Sequence, residues 1–486
     1  MNKKRMQLYF VGIGGTGMAS AAGLMKTDGH TVVGSDAKLY PPMSTLLEDL
    51  DVRVYPHYSI KNISQNRDKL FVIGNSLSKT HSEVEYILKE NLKYTSFPEL
   101  LSKTILKDKS SLVVAGTHGK TTTSSLISYC LDQLGEKPSF LIGGIPKNFQ
   151  KSFSLNKSDL FVIEGDEYDT AFFDKESKFL HYRPSYLVLN NIEFDHADIF
   201  DSIDTIYKTF EKLLNLLSTK RKIIANIDDK GVKHIIQKLG IYDQVFKVSC
   251  YGKSKDADLQ LLSSKLTEEG VQEFCLNIKN YGKLHLRSKL LGTHNCANII
   301  QCIGLLEVLK EYNAIKPFDY SELLQHIFNF QGVQKRFEFL GVKNGALCFN
   351  DFAHHPTAVK HTLLSVKQKY PNKRLVAIFE PRNASSRRNI FIKEYGEALG
   401  IADMILLTPV PFDGRISEDK RMNLSKLKAI NPSKTFVFDS SHAMSSWLKN
   451  KSSAKDLLLF MSCGNFEGIL ESFIDSDVTG TSFVST

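Results

Sequence analysis

The chain has 486 residues, a formal net charge of +9, and a composition that is 42% hydrophobic and 24% charged. That length suggests roughly three domains, and the balance is that of a globular protein with a core large enough to need no disulfide staples. Its basic residues are scattered through Lys-Glu and Lys-Asp mixtures with no long Lys/Arg block, which favours pockets for anionic small molecules over nucleic acid.

The seven cysteines show no C-x-x-C spacing, so reduced thiols in a cytoplasm and no zinc site are expected. The opening stretch, MNKKRMQLYFVGIGG, carries basic residues and a short apolar run that glycines break by Gly12. It reads as a β-strand and not as a signal peptide. No run approaches the roughly 20 apolar residues of a membrane span.

Gln7 to Val11 reads as a strand, and Gly12-Ile13-Gly14-Gly15-Thr16-Gly17 as the turn into a small-residue helix from Ala19 to Met25. Thr31 to Asp36 is a second strand that ends in an acid. Together they form a Rossmann-like βαβ unit, with a diphosphate at the helix N-terminus and Asp36 where a ribose-binding acid belongs. By this fingerprint alone the segment would take a nicotinamide or flavin cofactor, which is a weak signal. Tyr40-Pro41-Pro42-Met43-Ser44-Thr45 reads as a rigid loop before a helix capped by Ser44 or Thr45. Lys69 to Gly74 is a further strand, with Asn75 and Ser76 at the carboxyl end where ligands of such sheets sit. The polar run Leu106 to Ser111 marks a linker.

Ser111 to Ala115 is a buried strand, and Gly116 and Gly119 let the backbone turn tightly with its N–H groups unshielded. Lys120, Thr121, Thr122 and Thr123 open a helix that runs to about Leu134. A strand, a glycine turn and a helix N-terminus make a phosphate cradle, with Lys120 as a point charge for the β- and γ-phosphates and Thr121 or Thr122 in reach of Mg²⁺. The strict P-loop pattern wants a glycine where Val114 stands, so the loop is a variant.

Asp159 to Ile163 is a strand that delivers Glu164-Gly165-Asp166-Glu167-Tyr168-Asp169. Carboxylates gathered at a strand end are costly to hold together without cations, and a Mg²⁺ site answers that cost. Tyr186 to Leu189 delivers Asn190-Asn191-Ile192-Glu193-Phe194-Asp195-His196-Ala197-Asp198, where His196 between Asp195 and Asp198 is a candidate ligand. From about Phe246 to Leu291 the pattern shifts to short alternating runs, read as an antiparallel β excursion. Gly292-Thr293-His294-Asn295 then caps a helix through Asn298 to Leu309.

Lys335-Arg336-Phe337-Glu338 enters a strand, and Leu347 to Asn350 leads to Asp351-Phe352-Ala353-His354-His355-Pro356-Thr357 before a helix. Strands at Leu375 to Phe379, Met404 to Leu407, Thr435 to Phe438 and Leu457 to Phe460 alternate with helices, a further doubly wound α/β unit. The arginines of Glu380-Pro381-Arg382-Asn383-Ala384-Ser385-Ser386-Arg387-Arg388 suit a carboxylate or phosphate. Met461-Ser462-Cys463-Gly464-Asn465 is a last strand-to-helix turn that could face the same cleft.

Taken in order, GIGGTGM, GTHGKTTT, the acidic turn after Ile163, NNIEFDH, GTHNCAN, KRFE and NDFAHHPT resemble the ATP-dependent Mur ligases of bacterial cell-wall synthesis over nearly the whole chain. The resemblance implies a three-domain α/β fold. Residues 1–108 would form a Rossmann-like domain that binds a UDP-sugar and not NAD. Residues 109–333 would form a P-loop ATPase-type domain with a mostly parallel sheet and an antiparallel excursion. Residues 334–486 would form a doubly wound domain that closes over ATP and binds the amine substrate.

Within the family, GIGG and GTHGKTTT resemble the branch that adds L-alanine to UDP-N-acetylmuramate. The longer GDEYDTAFFDKESKFLHYRP stretch, with YPPMSTLL and the EPRN segment, resembles the branch that joins a recovered murein tripeptide, L-alanyl-γ-D-glutamyl-meso-diaminopimelate, to the same acceptor. The peptide-joining reaction is the leading expectation and the alanine-adding one its alternative. A nicotinamide-dependent oxidoreductase would leave Lys120 and the acidic clusters without a role. A non-catalytic nucleotide-binding regulator is a further alternative. The implied enzyme is a cytoplasmic monomer with ATP and Mg²⁺ as cofactors, without a membrane span or a nucleic-acid partner.

By the same resemblance, Gly116, Thr117, His118, Gly119, Lys120, Thr121 and Thr122 would bind ATP, with Asn295 at adenine and Arg336 and Asp351 helping the third domain close. Gly12, Gly14, Gly15, Gly17, Asp36, Asn75 and Ser76 would bind the UDP-sugar. Glu164 and His196 would hold Mg²⁺, with Thr121 and Asp195 as further candidates. Lys120, Glu164, His196, His355 and Arg382 would form the catalytic set, the last two toward the incoming amine. Related ligases often place a carbamylated lysine one helix after the metal histidine; here Glu211 falls near that place, and its carboxylate is expected to substitute.

Overall fold

The computed structural model describes residues 5–412, 414 and 416–474; residues 1–4 and 475–486, at the outer ends of the expected first and third domains, lie outside the described residues. Three α/β sheets follow one another along the chain, as the sequence patterning implies.

The first sheet has five parallel strands in the order Arg53–Tyr55, Thr31–Ser35, Gln7–Val11, Leu70–Ile73 and Tyr94–Thr95. Leu8, Tyr9, Phe10 and Val11 of the central strand are all buried, because helices cover both faces. Helix Thr16–Thr27 is buried from Met18 to Met25. Its residues are small because the second unit comes close: a Cβ on Gly23 would stand 2.4 Å from the Phe153 ring. Ser20 Oγ and Ser152 Oγ share a hydrogen bond of 2.6 Å at the same junction.

Two local expectations for this segment are corrected. Helix Met43–Asp49 starts from Pro42, which already has helical dihedrals, so Ser44 and Thr45 lie within the first turn and make no cap. The polar run 106–111 is not a free linker. Leu106–Asp108 is a 3₁₀ turn with Leu106 buried, and strand Ser110–Ala115 begins inside the run.

The second sheet has ten strands, built around the parallel set Ser139–Leu141, Leu160–Gly165, Ser110–Ala115, Tyr186–Leu189 and Ile223–Asn226. These strands read as unbroken apolar runs because both faces are buried. The expected antiparallel excursion is present but starts later than the sequence pattern suggests. Phe246–Ser249 continues the parallel sheet, and Leu259–Leu266 pairs parallel with it. Antiparallel pairing begins only between Leu259–Leu266, Gln272–Ile278 and Gly282–Ser288. Those strands form one edge of the sheet, where a half-solvated face permits the alternation.

The third sheet runs Glu338–Lys343, Ala346–Asp351, Asp456–Met461, Arg374–Phe379, Met404–Leu407 and Thr435–Val437, with only Glu338–Lys343 antiparallel. All seven cysteines are free thiols. No helix among the described residues is long and apolar enough to cross a membrane.

Candidate active site

Strand order decides which loops meet. Ser110–Ala115 lies between Leu160–Gly165 and Tyr186–Leu189, all parallel, so the glycine loop, the acidic turn and the 190–198 segment leave the sheet side by side at their carboxyl ends. They open on a cleft of about 2650 Å³ that also takes in Gly15 and Ser76 of the first unit and His355 and Arg387 of the third.

In the glycine loop, Gly116 (φ +135°) and Gly119 (φ +82°) adopt backbone states that L side chains rarely reach. Gly119 also N-caps helix Lys120–Gln133. A Cβ on Gly116 would stand 2.8 Å from the Asn191 carbonyl, so glycine is what allows the two loops to touch. Asn191 braces the loop, its carbonyl accepting from Thr117 N–H (3.0 Å) and its Oδ1 from His118 N–H (2.8 Å). Lys120 Nζ donates to Gly116 O at 2.7 Å and pairs with Glu167 Oε2 at 2.8 Å. Burial would lower this amine, but Glu167 and Asp166 outweigh it and hold Lys120 above its ordinary pKa.

Glu167 also meets His196, with Oε1 to Nε2 at 3.1 Å, while Asp166 pairs with Lys178. Ligand-competent atoms of Asp166, Glu167 and His196 all lie within 4.8 Å of one another. Two carboxylates and an imidazole suit a divalent cation that prefers oxygen. The His196 pKa is raised: burial opposes this, and the bond to Glu167 outweighs it.

Glu164 stands apart from this group. It lies within strand Leu160–Gly165, on the same face as Leu160 and Val162, and accepts from Gly143 N–H at 3.0 Å. Burial raises its carboxyl, against the Gly143 bond, Lys120 and the Thr121 hydroxyl. The structure thus places Glu164 with Thr121, and His196 with Asp166 and Glu167. Strand alternation is the signal that separates them: Glu164 still belongs to the pleat, and the two acids beyond it do not.

Residues of the third unit reach into the 190–198 segment. Thr357 Oγ1 donates to Glu193 Oε2 at 2.7 Å, and His118 Nε2 lies 3.3 Å from the same oxygen. Burial would raise the Glu193 carboxyl, but the bonds from His118 and Thr357 bring it down to about 2. His355 N-caps helix Pro356–Lys369 by accepting Thr357 N–H at Nδ1, which leaves its Nε2–H to donate to Phe194 O at 3.2 Å. Burial pushes His355 down to about 4, so the ring is neutral.

Asn295 lines the cleft from helix Thr293–Glu311, held by Leu291 O (2.8 Å) and Asn298 Nδ2 (3.0 Å). Arg336 is also in the cleft wall, its guanidinium 4.8 Å above the Phe352 ring. Asp351 accepts from Phe337 N–H (2.7 Å) and Ala353 N–H (2.8 Å), so it fixes the backbone that carries Arg336.

At the other end, Gly12, Gly15, Gly17, Asn75 and Ser76 line the cleft. Asp36 does too, but its Oδ2 accepts from Gly14 N–H at 2.8 Å and its Oδ1 from Lys38 N–H at 3.3 Å. The acid braces the glycine turn, and Gly14 is glycine because a Cβ there would stand 2.9 Å from that Oδ2.

Two positions are placed differently from expectation. Arg382 pairs with buried Glu380 at 3.2 Å and does not line the cleft, whereas Asn383, Arg387 and Arg388 do. Glu211, expected near the place of a carbamylated lysine, does not line the cleft. Ile203 and Tyr207 of its helix reach the cleft, but one turn further on Glu211 pairs with Lys238.

Asp229 escaped the sequence reading. It lines the cleft, caps helix Lys230–Lys238 through Val232 N–H (2.9 Å) and accepts from Ile192 N–H (3.1 Å). An Asp directly before a helix is a capping signature that the sequence does display.

Residues 7–109 match the profile of the Mur ligase family catalytic domain, 114–306 the Mur ligase middle domain, and 335–464 the Mur ligase glutamate ligase domain. Over 418 residues the chain is 37% identical to the UDP-N-acetylmuramate–L-alanyl-γ-D-glutamyl-meso-2,6-diaminoheptandioate ligase of Escherichia coli strain K12, covering 85% of this chain and 87% of that protein. The Haemophilus influenzae ligase of the same name is 32% identical over 470 residues, 96% of this chain and 98% of that protein. A crystal structure of a murein peptide ligase from Psychrobacter arcticus is similar with a TM-score of 0.75 at 31% identity, covering 98% of this chain and 100% of that one. The UDP-N-acetylmuramate–alanine ligase of Thermotoga maritima, at 20% identity and a TM-score of 0.76 over 97% of this chain and 99% of that one, shares the fold.

Proposed function

The chain belongs to the Mur ligase family, whose members form amide bonds at the expense of ATP, and on that premise we propose that it joins L-alanyl-γ-D-glutamyl-meso-diaminopimelate to UDP-N-acetylmuramate in peptidoglycan recycling. One observation carries the reading: the Lys120 loop, the carboxylate–His196 cluster and the His355 helix start all open on a single cleft. The choice of peptide over alanine is supported by 37% and 32% identity to ligases named for the tripeptide, against 27–30% to alanine ligases. Residues 1–108 bind the UDP-sugar, 109–333 bind ATP, and 334–486 close the site. The enzyme acts as a cytoplasmic monomer.

The γ-phosphoryl group of ATP passes to the lactyl carboxylate of UDP-N-acetylmuramate and gives an acyl phosphate. The alanyl amine of the tripeptide attacks that carbonyl, and the tetrahedral intermediate expels phosphate as the amide forms. Lys120 holds the γ-phosphoryl oxygens, with loop N–H groups around it, so the chain contributes position and charge more than covalent chemistry. Asn295 and Arg336 orient the nucleotide. The donor set of Asp166, Glu167 and His196 fits Mg²⁺; these residues, with Glu164 and Thr121 as further candidates, would hold the ion, which would supply neutralisation of phosphoryl charge. His355 directs the amine side. Arg387 and Arg388 offer guanidinium groups to the peptide carboxylates.

The test is phosphate release from ATP with Mg²⁺ and UDP-N-acetylmuramate, with free alanine or the tripeptide as amine. Release with the tripeptide alone is expected. Release with alanine alone would make the enzyme an alanine ligase.

A further inference from the structure

Two buried side chains meet between the second and third units. Ser385, 1% exposed, follows strand Arg374–Phe379, and Asp195, 2% exposed, follows strand Tyr186–Leu189. Ser385 Oγ donates to Asp195 Oδ1 at 2.6 Å and accepts from Ala197 N–H at 3.4 Å. The same Asp195 oxygen accepts from His196 N–H at 2.7 Å. One hydroxyl therefore grips the chain on both sides of His196.

His196 needs such a grip. Its φ is +55°, a left-handed state that is sterically costly for a residue with a Cβ and persists only where the surroundings impose it. In that state its Nε2 reaches Glu167 Oε1 at 3.1 Å. The third unit also holds Glu193 and Phe194 of the same segment, through Thr357 to Glu193 and His355 to the Phe194 carbonyl. The turn that carries Ser385 is itself tied down. Asn383 Oδ1 accepts from Ser386 N–H at 2.8 Å, and the Ser385 carbonyl accepts from Arg388 N–H at 3.1 Å.

We propose that Ser385 is a positioning residue for the ligation: by holding Asp195 and Ala197 it fixes His196 in the left-handed conformation that aims the imidazole at Glu167, so the metal-binding cluster is complete only while the third unit is docked. Docking of the third unit thereby becomes a condition for phosphoryl transfer. A nucleotide bound to an open site meets an incomplete cluster, which guards ATP against transfer to water. The inference rests on the reading of His196 as a metal ligand.

The test is Mn²⁺ binding to the full chain, followed by paramagnetic enhancement of water proton relaxation, in the wild type, Ser385→Ala, Ser385→Thr and His196→Ala. Thermal unfolding midpoints are read alongside. Ser385→Ala is expected to weaken Mn²⁺ binding by about tenfold, as loss of a group that orients a metal ligand does. It should also lower kcat with little change in KM for ATP, and Ser385→Thr, which keeps the hydroxyl, should restore both. Wild-type affinity in Ser385→Ala with weakened affinity in His196→Ala sinks the positioning role alone. Wild-type affinity in His196→Ala sinks the metal reading and the positioning role together. Equal weakening in Ser385→Ala and Ser385→Thr assigns the effect to packing and also overturns the proposal.

Discussion

Lys120 Nζ stands 2.8 Å from Glu167 Oε2, with side-chain exposures of 14% and 3%, and the pair ties the phosphate loop to the acidic turn of the neighbouring strand. The ammonium that would meet a γ-phosphate is thus already held at the loop by a carboxylate that would otherwise be buried with His196 alone. A bound γ-phosphate would compete with Glu167 for the Lys120 ammonium, and a cation would take the ammonium's place at that carboxylate.

Lys120→Ala removes the phosphate partner and strands Glu167. The expected cost is about 3–4 kcal/mol of transition-state stabilisation, by analogy with losing one preorganised charge-stabilising group. Steady-state ADP release in a variant with an intact circular dichroism spectrum measures it. A loss under about tenfold, roughly 1.4 kcal/mol, contradicts the assigned role.

Gly119→Ala is expected to damage the loop. The added Cβ would sit 2.4 Å from Asn298 Oδ1 at a φ of +82°. The left-handed backbone alone costs a residue with a Cβ roughly 1–2 kcal/mol. Gly15→Ala is the control, since Gly15 has a φ of −68° and open space at its Cβ. Urea unfolding should show a clear loss for the first and near-neutrality for the second; equal losses refute the argument.

Asp229 gives a pH dependence with a defined sign. Burial raises its carboxyl to about 6 from an ordinary 3.8, against the Val232 and Ile192 N–H bonds. The folded state therefore binds this proton more tightly than the unfolded one. The stability it lends is full below pH 3.8 and is lost as pH rises through about 6. Asp229→Asn keeps an acceptor for both N–H groups and removes the charge, so it should flatten that loss by up to roughly 3 kcal/mol. Parallel stability–pH profiles for the two proteins would exclude it.

Asp36→Ala separates bracing from ligand contact. Loss of the acceptor for Gly14 N–H should cost about 1–2 kcal/mol in unfolding experiments without ligand. If Asp36 only contacts a ribose, stability stays unchanged and UDP-sugar affinity alone falls.

Glu211→Ala should leave the Mg²⁺ requirement untouched and shift stability by less than about 1 kcal/mol, as a surface ion pair does. A changed Mg²⁺ activation curve would return Glu211 to the metal site.

Much of the fold was legible because parallel strands buried on both faces must be apolar throughout. Runs such as Tyr186–Leu189 admit few other readings. The start of helix Met43–Asp49 was misread because Ser and Thr are common caps, whereas Pro42 reaches helical dihedrals earlier. Phe246–Ser249 was misread as antiparallel because a short strand carries no mark of its partner's direction.

Sequence alone determined the three α/β units and the loop from Gly116 to Lys120, because φ preference, hydrophobic period and helix start act over a few residues. Only the tertiary structure decided that Lys120 meets Glu167, that Asp36 braces Gly14, and that Ser385 holds the chain around His196. Those relations depend on strand order and on the docking of units far apart in the chain. An approach of 2.6 Å between Ser385 and Asp195 is set by the packing of the two sheets' loops and leaves no local signature in either segment.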